Sequence, residues 1–279
     1  MQATKSLPAL GLQRALLAAA VVGAVAITAP GGARAEDDPW PSLVQALFDG
    51  APIADGAGVI ALDAPVRAMD AAVVPITIRT VLPPGDGRTV RRISLVVDAD
   101  PSPLAAVFTL GDHAGVDAIS TRVRVDDYTN VHAVVELSDG KLYAVSRFVK
   151  AAGGCSAPAL KQTADAIPLG TMRFRELPEA ADGAPAGERD VQLMIRHPNY
   201  SGMQMDQITR LYIPAEFIKQ VELWQGDEKL VAVEGGIAIS ENPEFRFRLK
   251  PDGDAPFRAE ATDSNGAQFR AAWKADSAS

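Results

Sequence analysis

One cysteine, three histidines and three tryptophans in 279 residues leave little material for several kinds of chemistry. A single cysteine excludes an internal disulfide and any zinc site built on paired thiolates. The histidines, His113, His132 and His197, are scattered, with no zinc-ligand spacing among them. No phosphate-binding glycine loop and no calcium loop can be found. A net charge of −8 without a basic stripe argues against nucleic acid as a partner. Acidic residues are plentiful, but Asp98, Asp100, Asp126 and Asp127 fall at turns, where carboxylates cap and solvate. Long apolar runs are equally scarce: Ala15 to Ala29 is short and alanine-rich for a membrane span, and no second one follows.

That run has the form of an export signal. Lys5 and Arg14 precede it, and Ala33-Arg34-Ala35 supplies a small-x-small cleavage site, so cleavage is expected after Ala35. Residues 1–35 carry three basic side chains and no acid, so the mature chain from Glu36 is more acidic still. A periplasmic location without a membrane anchor is the expectation.

The remainder reads as all-β. Trp40, Leu43, Val44, Leu47 and Phe48 share one helical face, with Ser42 expected as N-cap and Gly50 as terminator, predicting one short helix. From Val59 to Lys150 short β-branched runs alternate with turn signals such as Pro83-Pro84-Gly85-Asp86-Gly87 and Ser138-Asp139-Gly140. A second series runs from Met172 to Trp273. It includes an expected strand at Ile208–Ile213 and hairpin turns at Gly226-Asp227 and Asn265-Gly266. The density of strands is that of immunoglobulin-like sandwiches, without the cysteine pair and core tryptophan of antibody domains. The predicted organisation is a signal peptide (1–35), a first β-sandwich (36–152), a flexible arm (153–169) and a second β-sandwich (170–279).

The arm holds the lone cysteine, in Ala151-Ala152-Gly153-Gly154-Cys155-Ser156-Ala157-Pro158. Small neighbours give Cys155 neither a helical nor a strand period to pack into, which favours a presented thiol over a buried filler. A Cys-His enzyme would need a histidine within hydrogen-bond reach of Cys155. His113 lies beside Asp112 in a loop, and His132 alternates within a strand toward solvent or a hydrogen-bond partner. The only grouping with metal-ligand character is His197 with Met203 and Met205, which would suit copper(I), although packing at a turn explains the same residues. No metal and no tightly bound cofactor is expected.

Val73-Val74-Pro75-Ile76, Asp100-Pro101-Ser102-Pro103-Leu104-Ala105 and Ile119-Ser120-Thr121-Arg122-Val123-Arg124 lead into Phe148-Val149-Lys150 and Gly153-Gly154-Cys155. This first half resembles SoxY, the sulfur-carrying subunit of periplasmic thiosulfate oxidation. Ile195-Arg196-His197-Pro198, Ile213-Pro214-Ala215-Glu216-Phe217-Ile218 and Ala238-Ile239-Ser240-Glu241-Asn242-Pro243 give the second half a resemblance to SoxZ, its partner subunit. The whole resembles a fused, quinoprotein dehydrogenase-associated SoxYZ-like carrier.

The resemblance implies a covalent carrier rather than an enzyme: cargo rides on Cys155, and Gly153 and Gly154 give the arm flexibility. It implies pairing of the two halves within one molecule, and it implies as partners periplasmic redox enzymes, among them a quinoprotein dehydrogenase and c-type cytochromes. Two departures stand out. The family motif continues with glycines where this chain has Ser156-Ala157-Pro158, and Cys155 is internal rather than terminal. The 14 or so residues from Ser156 to Leu169 span about 45 Å at roughly 3.3 Å each, enough to loop out. The alternative from another class is a non-covalent assembly module for a periplasmic dehydrogenase or cytochrome, with the thiol incidental. A thiol enzyme or copper-handling protein is a third.

Overall fold

A computed structural model of the chain describes residues 38–279 apart from 113, 159–166, 178–187, 251–252, 254 and 275–279. The expected signal peptide, His113 and much of the expected arm therefore lie outside the described residues.

Helix α1 spans Trp40–Phe48. Ser42 is not its cap: Pro39 occupies that position, and the Asp38 carboxylate accepts the Trp40 N–H at 3.1 Å instead. Pro41 fits the first turn, where its missing N–H has no partner to lose. Asp49 and Gly50 take left-handed conformations and end the helix as expected of Gly50.

The first half then forms β1 (Ile53–Asp55), β2 (Ile60–Asp63), β3 (Val74–Thr80), β4 (Val90–Val97), β5 (Leu104–Leu110), β6 (Ala118–Val123), β7 (Thr129–Leu137) and β8 (Leu142–Val149). The second half forms β9 (Met172–Leu177), β10 (Arg189–Ile195), β11 (Ile218–Gln225), β12 (Glu228–Gly235), β13 (Glu244–Leu249), β14 (Phe257–Asp263) and β15 (Gln268–Trp273). Both expected hairpins are present, Gly226 turning β11 into β12 and Gly266 turning β14 into β15, each with positive φ. Burial alternates along the strands as a two-layer sandwich requires: Phe245, Phe247 and Leu249 point inward from β13, while Arg246 and Arg248 between them reach Asp190 at 2.5 and 3.0 Å. Strands β4 and β7 depart from alternation because Val96, His132 and Val134 on their outer faces are also buried. Trp40 of α1 stacks on the His132 ring at 3.7 Å, so the helix roofs this part of the sheet. His132 is accordingly covered, with Nδ1 2.9 Å from Asp98 Oδ1.

The all-β, sandwich-type architecture is as expected, but the two halves share their sheets. Among the described residues one nine-stranded sheet has the order β1-β8-β7-β4-β5-β12-β11-β14-β15, and a six-stranded sheet the order β2-β3-β6-β13-β10-β9. Two antiparallel seams join the halves. In one, Phe108 of β5 lies opposite Val233 of β12; in the other, Ile119 of β6 lies opposite Phe247 of β13. The hydrophobic core crosses with them, and the Phe108 and Phe245 rings meet edge to face at 6.2 Å. Pairing internal edge strands this way removes edges that two separate sandwiches would expose.

The expected strand at Ile208–Ile213 is a turn. Asp206 accepts the N–H groups of Ile208 and Thr209 and the Thr209 hydroxyl, an arrangement that competes with strand pairing. No helix among the described residues is long and apolar enough to cross a membrane.

Candidate functional site

The end of β8 leads to a turn at the junction of the two halves, and this turn carries Cys155. The thiol expected on a flexible, presented arm is instead covered: Cys155 is 1% exposed. Its seat is built from backbone and carboxylates. The N–H groups of Gly153 and Gly154 donate to the carbonyls of Asp126 and Val125 at 2.8 and 3.0 Å, and the Cys155 N–H donates to Asp126 Oδ1 at 3.2 Å. From the second half the Ser201 hydroxyl donates to the Cys155 carbonyl. Buried Arg124 ties the two sides together, reaching the Gly154 carbonyl at 3.2 Å and the Asn199 carbonyl at 3.1 Å.

The glycines expected to make the arm flexible have structural work in this seat. Gly153 adopts φ +77°, which a side chain disfavours. Gly154 is packed so closely that a Cβ would sit 2.1 Å from the Ala71 carbonyl oxygen and 2.7 Å from that of Val125. The sequence signal is the same for a hinge and for a close approach, which is why sequence reasoning chose the hinge.

Two carboxylates face the thiol, and sequence reasoning had set them aside as turn acids. Sγ lies 4.0 Å from Asp100 Oδ2, and Asp100 Oδ1 accepts the Asp126 N–H at 2.8 Å. Burial, then the charges of Asp100 and Asp126, push the Cys155 thiol up to about 12, against the opposing pull of Arg124. Burial, then the charge of Asp126, raises Asp100 to about 7, although the Asp126 N–H favours its ionised form. At neutral pH roughly one seated thiol in 10⁵ is ionised, so the seated sulfur is a poor nucleophile. Among the described residues no histidine nitrogen hydrogen-bonds to it. His132 is engaged with Asp98, and His197 Nδ1 lies 3.0 Å from Asn199 Oδ1. The seat holds a thiol quiet; it does not activate one.

His197 is fully buried, and its ring nitrogens face Asn199 and Asp263. Met205 is exposed and Met203 half-buried on the turn beyond. The second half brings Glu216 and Asp263, neither singled out from the sequence, to within 4.8 Å of His197.

Comparison with known families decides what kind of chain carries this seat. Residues 44–155 match the family model of sulfur oxidation protein SoxY, and residues 178–274 match that of sulphur oxidation protein SoxZ. This chain is a fused SoxYZ-like protein. SoxY and SoxZ domains mark it as a carrier protein of sulfur oxidation, a family of carriers that work with sulfur-oxidising redox enzymes. The SoxY match ends on Cys155. No curated protein is significantly similar in sequence. Among solved structures, a superoxide reductase (neelaredoxin) from Ignicoccus hospitalis aligns over 39% of this chain and 90% of its own, at 10% identity and a TM-score of 0.29. That likeness is too slight to inform fold or function.

Proposed function

We propose that this SoxYZ-like chain is a periplasmic carrier that bears a sulfur-containing intermediate covalently on Cys155 and presents it to partner redox and hydrolytic enzymes. The observation that carries the reading is positional: the chain's one cysteine is the last residue of the SoxY match and sits on a small-residue turn where the SoxY and SoxZ halves meet. The seat is the resting position, and the working position is the same turn lifted clear of Asp100 and Asp126. Lifting hydrates the sulfur and separates it from both charges, which returns the thiol toward the ordinary cysteine range. Loading an intact thiosulfate-type anion joins its terminal sulfur to Sγ through an S–S bond, releases the thiol proton and gives up two electrons. A partner redox enzyme must accept them, and a c-type cytochrome or a quinoprotein dehydrogenase system fills that role. The signal-like sequence pattern of residues 1–35, basic side chains ahead of an apolar run and Ala33-Arg34-Ala35, supports the periplasmic location.

Intact mass spectrometry of the mature protein, isolated from its native periplasm without reductant, tests this. The expected result is a discrete adduct on Cys155 that a thiol reductant removes. A second reading draws on the burial of Cys155: an assembly module that docks a dehydrogenase or cytochrome non-covalently, the thiol serving only to fill its seat. An unmodified thiol under all growth conditions, with partner binding intact in Cys155→Ser, would select that reading.

A further inference from the structure

In the second half, at the start of the loop that places Ser201 on the Cys155 carbonyl, three side chains converge from separate elements. His197 follows β10, Glu216 precedes β11, and Asp263 ends β14. Their ligand atoms all lie within 4.8 Å of one another. His197 and Asp263 are 0% and 2% exposed, and the atoms they turn toward each other, Nε2 and Oδ2, are both buried without a hydrogen-bond partner. They stand 3.8 Å apart, beyond hydrogen-bond distance.

The other atoms of both side chains are occupied, which fixes the direction of the free ones. Asp263 Oδ1 accepts the N–H groups of Asn265 and Ala267 at 2.9 and 2.8 Å. His197 Nδ1 lies 3.0 Å from Asn199 Oδ1 and donates to it in the tautomer that leaves Nε2 its lone pair. Two ligands each about 2.1 Å from a shared ion can be no more than about 4.2 Å apart, and the His197–Asp263 separation falls inside that limit. Glu216 is half-buried, and its carboxylate, within 4.8 Å of both, needs to move by no more than about 0.6 Å to come inside the same limit.

We propose that His197, Glu216 and Asp263 bind one divalent transition-metal ion of the zinc type, with water completing its shell. One imidazole nitrogen and two carboxylate oxygens suit zinc; calcium calls for six or more oxygens, and copper(I) for soft sulfur ligands. The ion binds the loop 197–204 to β14. That loop places Ser201 on the Cys155 carbonyl and Asn199 on Arg124.

The test uses the full mature chain, stripped with a chelator and titrated with zinc alone. The expected result is one zinc per chain by native mass spectrometry and a melting temperature that rises with zinc concentration. Glu216→Gln, at a half-buried position that tolerates the change, should weaken binding at least tenfold, and His197→Gln should abolish it. Cys155→Ser should bind zinc as the wild type does. Failure of the wild type to take up zinc overturns the proposal, and so does uptake unchanged in Glu216→Gln. If His197→Gln does not fold, Glu216→Gln decides. Because the readout is metal binding with Cys155 absent, the result is independent of the carrier reading.

Discussion

The Ser201 hydroxyl, from the SoxZ half, donates its hydrogen bond to the backbone carbonyl of Cys155, the last residue of the SoxY match. The Cys155 turn is therefore held by both halves of the fused chain. Its release from one half alone is not enough to free it. Ser201→Ala removes this donor and also the acceptor that Met203 N–H uses at 3.2 Å. A lost buried hydrogen bond of about 1 kcal/mol should raise the open fraction of the turn about fivefold. The rate of Cys155 alkylation should rise by that factor, with little change in melting temperature. An unchanged rate would mean that the turn is held from the SoxY side only.

Gly153 and Gly154 separate a hinge from a fitted seat. On a free arm, alanine at either position would be tolerated alike. In the seat they differ: Gly153→Ala meets only an unfavourable φ, costing about 1 kcal/mol, whereas the Gly154→Ala Cβ collides with the carbonyl oxygens of Ala71 and Val125. Overpacking against backbone costs about 1–3 kcal/mol or more, so Gly154→Ala should leave the turn largely undocked. Stoichiometric thiol titration without denaturant reads the outcome. Rapid full labelling in Gly154→Ala and slower labelling in Gly153→Ala is expected. Equal behaviour of the two variants would restore the flexible-arm view.

Much of the strand content was readable because β-branched runs alternate with strong turn signals, and both second-half hairpins lay at their expected glycines. What the sequence could not convey is which edges meet. The periodicity of β5 and β6 is the same whether their free edges face water or β12 and β13, so sharing of the sheets is invisible in it. Cys155 was found but its surroundings were misjudged, since small residues permit both exposure and close packing. Asp100 and Asp126 looked like ordinary turn acids because the thiol they face is 55 and 29 residues away. Ile208–Ile213 failed as a strand for a local reason: the Asp206 carboxylate captures the N–H groups of the following turn.

The shared core gives an expectation for unfolding. Phe108 is fully buried and meets Phe245 across the seam, so neither half retains a complete core alone. Calorimetry of the mature chain should show one cooperative transition. Phe108→Ala should destabilise it by about 3–5 kcal/mol and lower that single transition as a whole. Two transitions, with only the first sensitive to Phe108→Ala, would show that the halves fold independently despite the seams.

Asp100 makes seating of the turn dependent on pH. Its pKa is raised to about 7 in the seat and should return toward the ordinary value near 3.8 when the turn lifts and water reaches the carboxyl. The seated form thus binds more protons than the lifted form between these values. Seating is strongest below about pH 4, weakens as pH rises toward 7, and levels off above, where Asp100 is ionised in both forms. Asp100→Asn keeps a carbonyl oxygen for the Asp126 N–H but has no charge to bury, so its seating should lack this slope. Hydrogen exchange of the Cys155 amide, corrected for the intrinsic pH dependence of exchange, measures the seat without relying on the thiol. Protection in the wild type should fall between pH 5 and 8, as about three-fifths of the titration window lies there, while protection in Asp100→Asn stays flat. The removal of a negative charge beside Sγ should also lower the seated thiol pKa in the variant. A wild-type protection profile that is flat, or that falls equally in Asp100→Asn, would place the control of seating elsewhere than in this carboxyl.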